Sequence, residues 1–250
     1  YHSDKKELRL SLKQFLFDPI TKELQAPLPI PVKYALFSQD GQMLLEEIFT
    51  LTTHQQCLVF HNIEQVPVIS LLRDFSAPVV LDYDYSLNDL KVLIASESDY
   101  FAKWEALQNL IIKVIFSKDK SAHEMAVLIA DAFEPLFDYA YKDPEFFATL
   151  LTIPDEGYYL GLMETEDVLY FRNIRKCIEQ YVSTRFQVEW LNLYEQFQGN
   201  SRSDRSIKNI ALQYLSFLPE YQSLIVTQYH GSKNMTDIGW ALKYAVWQDI

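Results

Sequence analysis

With 250 residues, 49% of them hydrophobic and 22% charged, the chain has the composition of a globular protein and enough length for two separate cores. Its formal charge of -12 argues against nucleic acid as a partner, because such binding draws on clustered Lys and Arg. The longest apolar run, Leu110 to Phe116, is broken by Lys113 and falls far short of the roughly 20 residues a membrane span requires. Two cysteines, Cys57 and Cys177, stand apart with no C-x-x-C, which implies neither a disulfide framework nor a thiolate metal site and points to a reducing, cytoplasmic compartment. The charged opening Tyr1 to Leu10 lacks the apolar stretch of a signal peptide, and with no initiator Met it reads as the start of a piece of something longer.

Before residue 83 the apolar residues alternate, as in Leu8, Leu10, Leu12 and in Val32, Tyr34, Leu36, the pattern of strands with one buried face. Asp40-Gly41 supplies a hairpin turn, and Cys57 to His61 and Ala77 to Leu81 read as further strands. The spacing predicts an antiparallel sandwich of about seven short strands over residues 1–85.

From Ser86 onward the period becomes helical. Phe101, Trp104, Leu107, Ile111 and Val114 form one stripe, with Trp104 expected as a core anchor. Val168, Phe171, Arg175, Ile178 and Val182 form a second, and Ile207, Ile210, Tyr214 and Leu218 a third. Connectors at Asp143-Pro144, Ile153-Pro154 and Gly199-Asn200-Ser201 separate helices of ordinary length, which predicts an irregular helical array over residues 86–250.

Two segments approach known metal chemistry. Ser121-Ala-His-Glu-Met-Ala-Val127 comes within one residue of H-E-x-x-H, in which imidazoles at i and i+4 share a helix face and hold Zn²⁺. Position i+4 is Val127, which has no lone pair to offer. His2, His54, His61 and His230 have no spacing that supplies the missing ligands, and a catalytic zinc needs three from the protein. The same residues satisfy a capping box, Ser121 with Glu124, which makes His123 an exposed first-turn residue. Gly161-Leu-Met-Glu-Thr165 is one residue away from the amine-binding G-x-M-E-N of zinc aminopeptidases, but it follows the histidine segment where that family places it before. Glu164, Glu166 and Asp167 read instead as carboxylates at the start of a helix beginning near Asp167. No phosphate loop, dinucleotide fingerprint or nucleophile elbow is present, so spacing alone identifies no catalytic, cofactor-binding or metal-binding residue.

Leu71-Leu-Arg-Asp-Phe-Ser-Ala-Pro-Val-Val-Leu81 followed by Tyr83-Asp-Tyr-Ser86 resembles the end of the sandwich domain of bacterial aminopeptidase N, the zinc-dependent alanyl aminopeptidases. Tyr1 to Gln14, Phe101 to Gln108, Ala130 to Phe133, Leu151 to Pro154, Arg205 to Asn209 and Asn234 to Asp237 resemble further landmarks of that family in the same order. The resemblance implies an Ig-like antiparallel β-sandwich followed by an irregular α-helical superhelix. It also implies a parent enzyme that removes N-terminal residues from peptides with zinc, held by a catalytic domain that would precede residue 1. On this reading the chain carries no cofactor of its own. It walls and gates the chamber, its partners being that catalytic domain and the parent's peptide substrates. Arg73 and Asp74 would lock the strand-to-helix junction by an ion pair, and Asn234 would cap the helix that follows it, with Asp237 in its first turn. Because family members continue beyond the helix that Asn234 opens, Trp240, Tyr244 and Trp247 are expected to form an exposed apolar face that frays or self-associates. The rival reading is a free-standing helical-repeat adaptor that binds a protein partner.

Overall fold

The computed structural model describes residues 1–117, 119–162 and 167–250. It divides into two compact units, Tyr1–Asn109 and Leu110–Ile250.

Five strands make two sheets in the first unit. β1 (Leu8–Lys13) pairs antiparallel with β4 (Gln55–Phe60), Leu8 lying opposite Phe60 and Lys13 opposite Gln55. The other sheet has the order β3-β2-β5, from β2 (Ile30–Phe37), β3 (Met43–Leu51) and β5 (Val68–Leu71), all antiparallel. Leu8 and Leu10 from one sheet meet Val32, Tyr34, Leu36 and Leu71 from the other in a single apolar core, where the Tyr34 ring takes edge contacts from Phe49 and Phe60. The predicted alternation therefore describes which face packs. It misses that the end of β2, a central strand, buries Ala35 and Phe37 on its second face as well. The β2–β3 turn closes through Ser38 N–H to Gln42 O (2.8 Å), and Gly41 sits at φ 86°. A Cβ there would also come within 2.0 Å of Ser96 Oγ, so both backbone conformation and space require glycine.

The described residues hold five strands where about seven were expected. The segment Ala77 to Leu81 is not among them: Pro78 has no N–H for a ladder, Val79 N–H turns back to Ala77 O, and Val80 is almost wholly exposed. Helix α1 (Leu87–Ser96) then starts on a capping box between Ser86 and Asp89, and α2 (Tyr100–Ile115) follows, with the division between units falling inside it. Within α2, Leu107, Ile111 and Val114 are buried as expected, but Phe101 and Trp104 are only half-buried, their rings tilted against each other at 6.3 Å. The inward face is turned towards Lys103, which is completely buried.

The second unit is helical: α3 (Ala122–Phe133), α4 (Pro144–Leu150), α5 (Glu156–Gly161), α6 (Val168–Arg185), α7 (Gln187–Gln196), α8 (Arg202–Leu215), α9 (Ser223–Gly231) and α10 (Met235–Gln248). Consecutive helices pack as pairs α7 with α8 and α9 with α10. Helix α3, however, packs on α6 across two shorter helices, which makes the array irregular. Its centre is aromatic. The Trp190 indole stacks on Tyr214 at 4.5 Å, Phe137 lies 4.9 Å from that indole, and Tyr214 donates its hydroxyl to Leu151 O at 2.6 Å. Of the second stripe, Phe171, Arg175, Ile178 and Val182 are buried and Val168 is exposed. Of the third, Leu218 is buried but lies beyond the end of α8.

Candidate functional site

The near-zinc segment begins α3. Ser121 accepts Glu124 N–H, and Glu124 Oε2 takes the Ser121 N–H (2.8 Å) and hydroxyl (2.7 Å), hydrogen bonds that hold its carboxyl below the usual range. With Glu124 committed to the cap, His123 is exposed and rests edge-on against the Tyr181 ring at 5.3 Å. These residues do not fit a zinc ion. Among the described residues no group of three or more His, Cys, Asp or Glu could hold one, and Cys57 and Cys177 are free thiols. The segment Gly161 to Thr165 lies largely outside the described residues, as do Glu164 and Glu166. Asp167 is the N-cap of α6, accepting Tyr170 N–H at 2.9 Å.

Among the described residues, three of the places that hold buried charge pair it across elements. In the first unit Arg73 is buried against the fully buried Glu97, donating from Nε (3.1 Å) and Nη2 (2.7 Å) to Oε1, and it also reaches Glu46 at 2.7 Å. The expected Arg73 to Asp74 pair is not formed. Asp74 faces outward and takes Lys33 at 2.5 Å, because the left-handed backbone of Leu72, Asp74 and Phe75 turns successive side chains apart. Arg73 thus locks the junction through Glu97 of the following helical segment.

In the second unit, Glu179 of α6 is bonded by Arg175 Nε (3.2 Å) and by Gln213 Nε2 of α8 (3.1 Å). Burial still outweighs those donors and raises its carboxyl. The third place is Asp237, also buried. Lys208 Nζ reaches it at 2.5 Å, Asn209 Nδ2 at 2.9 Å and Asn234 Nδ2 at 2.9 Å, while its own N–H is capped by Asn234 Oδ1 at 2.9 Å. Gln228 of α9 closes the network through Asn209 Oδ1 (2.8 Å) and Asp237 O (3.1 Å). Burial works against the ionised form, but the three donors together keep Asp237 below its ordinary value. Two landmark segments of the sequence, Arg205 to Asn209 and Asn234 to Asp237, are therefore brought into contact by one carboxylate.

Beside this network lies a groove of about 400 Å³ between α4, α8 and α10. Arg202, Arg205 and Ser206 of α8 line it together with Thr236 and Trp240 of α10, and Asn209 contributes to its inner side. Glu145 of α4 is taken up by Arg202 Nε at 2.8 Å and by the Ser203 hydroxyl at 3.3 Å, and Arg205 is aimed by a bond from Nη1 to Asn200 O. The groove is rich in hydrogen-bond donors, suited to holding an acceptor ligand. Sequence reasoning singled out Asn209 and the Asn234 cap, and named Trp240 only as part of an exposed apolar face; it did not single out Arg202. The available signal was the three-residue spacing of Arg202 and Arg205, which puts both on one helix face.

The architecture defined so far is an antiparallel sandwich followed by an irregular helical array with a polar groove. Residues 1–84 match a domain of unknown function, DUF3458, described as an Ig-like fold, and residues 87–249 match its C-terminal companion DUF3458_C, described as ARM repeats; the chain belongs to this family. Aminopeptidase N of Escherichia coli is 26% identical over 98% of this chain and 31% of its own length. Aminopeptidase N of Haemophilus influenzae is 29% identical over 87% of this chain and 27% of its own, and that of Caulobacter vibrioides 30% over 81% and 25%. The resemblance read from the landmark segments is thereby confirmed, and the chain spans less than a third of each of these relatives. The crystal structure of Legionella pneumophila aminopeptidase A in complex with aspartic acid aligns over 96% of this chain and 30% of that one, with a TM-score of 0.79 at 22% identity, which shows a shared fold.

Proposed function

We propose that the chain is the non-catalytic sandwich and helical portion of a zinc aminopeptidase that removes N-terminal residues from peptides, with residues 1–85 and 86–250 as its two domains. In this reading the chain walls and gates the chamber, and the zinc and every catalytic group belong to a catalytic domain of the parent. The match to three relatives named aminopeptidase N, each over more than four fifths of the chain, carries the proposal. The donor-lined groove supports a surface that handles polar, extended ligands. The free thiols of Cys57 and Cys177 support a cytoplasmic parent. No helix among the described residues is long and apolar enough to cross a membrane.

The test is a hybrid in which this chain replaces the matching segment of Escherichia coli aminopeptidase N. The hybrid is expected to hydrolyse an alanyl amide and to discriminate against long peptides, whereas the isolated chain supplied with zinc leaves the amide uncut. A folded, zinc-loaded hybrid that accepts long and short peptides alike would overturn the gating role. Turnover by the isolated chain that His123→Ala abolishes would overturn the non-catalytic assignment.

A further inference from the structure

We infer that the groove between α4, α8 and α10 is a binding site for the C-terminal residue of a peptide, a function that rests on the reading of the parent as a peptide-handling enzyme. Its lining decides the ligand's chemistry. Apart from the Arg205 N–H held by Asn200 O, the Arg205 guanidinium, the hydroxyls of Ser206 and Thr236 and the indole N–H of Trp240 have no hydrogen-bond partner among the described residues. Four side chains with donors to spare and one shared concavity call for a ligand made of acceptors.

Charge narrows it further. Glu145 and Arg202 neutralise each other at 2.8 Å, which leaves Arg205 as the uncompensated charge of the groove and matches a monoanion. The planar fork of a guanidinium suits a carboxylate. Ala148, Ile210 and the half-buried Trp240 ring add an apolar wall, so the carboxylate should come attached to an apolar side chain, which a free phosphate lacks. At about 400 Å³ the space lies at the small end of ligand pockets and suits a terminal residue better than a folded partner. Rigidity comes from behind. Asn209 is fixed by Asp237 and Gln228, so α8 and α10 hold the groove's two sides at a set spacing.

The site is tested by titration calorimetry on the whole chain with the tripeptide alanyl-alanyl-phenylalanine, its C-terminal amide, and inorganic phosphate. The free acid is expected to bind at least tenfold more tightly than the amide, and phosphate to compete only weakly. Arg205→Gln should weaken the free acid at least tenfold with Arg205→Lys recovering part of the loss, and Thr236→Val, checked with it for an unchanged circular dichroism spectrum, should weaken it severalfold. Equal binding of acid and amide, no binding of the acid, or phosphate binding without preference for the peptide would each overturn the site. None of those results bears on the peptidase reading, which stands or falls on hydrolysis by the hybrid.

Discussion

Lys208 and Asp237, 29 residues apart in sequence, meet at 2.5 Å with both side chains buried, and this contact fastens α10 to α8. Removing one member of a buried, hydrogen-bonded pair strands the other charge away from water. Asp237→Ala is therefore expected to destabilise the chain by about 3 to 5 kcal/mol, read as a shift in the urea midpoint. Replacing both, with Lys208→Met and Asp237→Leu, should cost distinctly less than Asp237→Ala alone. A single variant within about 0.5 kcal/mol of the parent, the range of ordinary surface changes, would show that the network does not hold the helices together.

Arg73 invites the same argument in the first unit with a different consequence. Leu72, Asp74 and Phe75 all have positive φ, a conformation costing roughly 1 to 3 kcal/mol per residue unless the surroundings impose it. Arg73, in the middle of this turn, is anchored by its hydrogen bond to Glu97 and its ion pair with Glu46. Arg73→Met should lower stability by about 3 to 5 kcal/mol and speed amide hydrogen exchange across residues 72–76, because the strained turn is released. Protection unchanged there would mean that packing of the chain alone holds the junction.

The near-zinc segment separates two readings by mutation. Ser121→Ala removes a helix cap and should cost about 1 kcal/mol. His123→Ala, on an exposed first-turn residue, should change stability by less than about 0.5 kcal/mol and leave zinc uptake at its baseline. Measurable zinc affinity lost with His123 would contradict the capping assignment.

Much of this was legible from sequence because it is local. A capping box is a relation between residues three apart, so Ser121 with Glu124 and the Asn234 cap could be read directly. Strand alternation likewise located the Leu8, Tyr34 and Leu36 core. What escaped was set by tertiary partners. Hydropathy treats Lys103 as a solvent-facing residue and so rotates the expected face of α2 towards Trp104, while the actual helix buries Lys103 by giving its Nζ two carbonyls, Ile94 O at 2.5 Å and Ala95 O at 3.3 Å. The pairing of Arg73 with Glu97, and the groove assembled from three helices, likewise depend on residues that nothing local connects.

Lys103 also gives a pH dependence. Burial pulls its ammonium down to about 8 from 10.5, with Glu97 pulling the other way. Between those values the unfolded chain holds the proton and the folded chain does not, so this group's contribution to stability rises with pH across that window. The penalty of burying the charge is fully present below pH 8. Comparing urea midpoints at pH 7 and pH 10, the parent should gain relative to Lys103→Met by on the order of 2 to 3 kcal/mol. Parallel pH profiles for the two proteins would show that Lys103 stays charged throughout.

The end of the helical unit carries the last prediction. Of the expected apolar face, Tyr244 is buried and Trp240 is half-buried, so the exposed face is instead Leu242, Val246 and Trp247, because α10 turns Tyr244 into the core. These three line a groove of about 810 Å³ with Arg172 and Lys176 of α6 on its other side. The self-association expected from the sequence for this end would place a second copy of the chain over Leu242, Val246 and Trp247. Sedimentation should then show a concentration-dependent dimer. Val246→Glu, on a residue 75% exposed, should abolish the dimer while leaving the urea midpoint unchanged. A monomer at every concentration, or a dimer indifferent to Val246→Glu, would assign this face to a different partner.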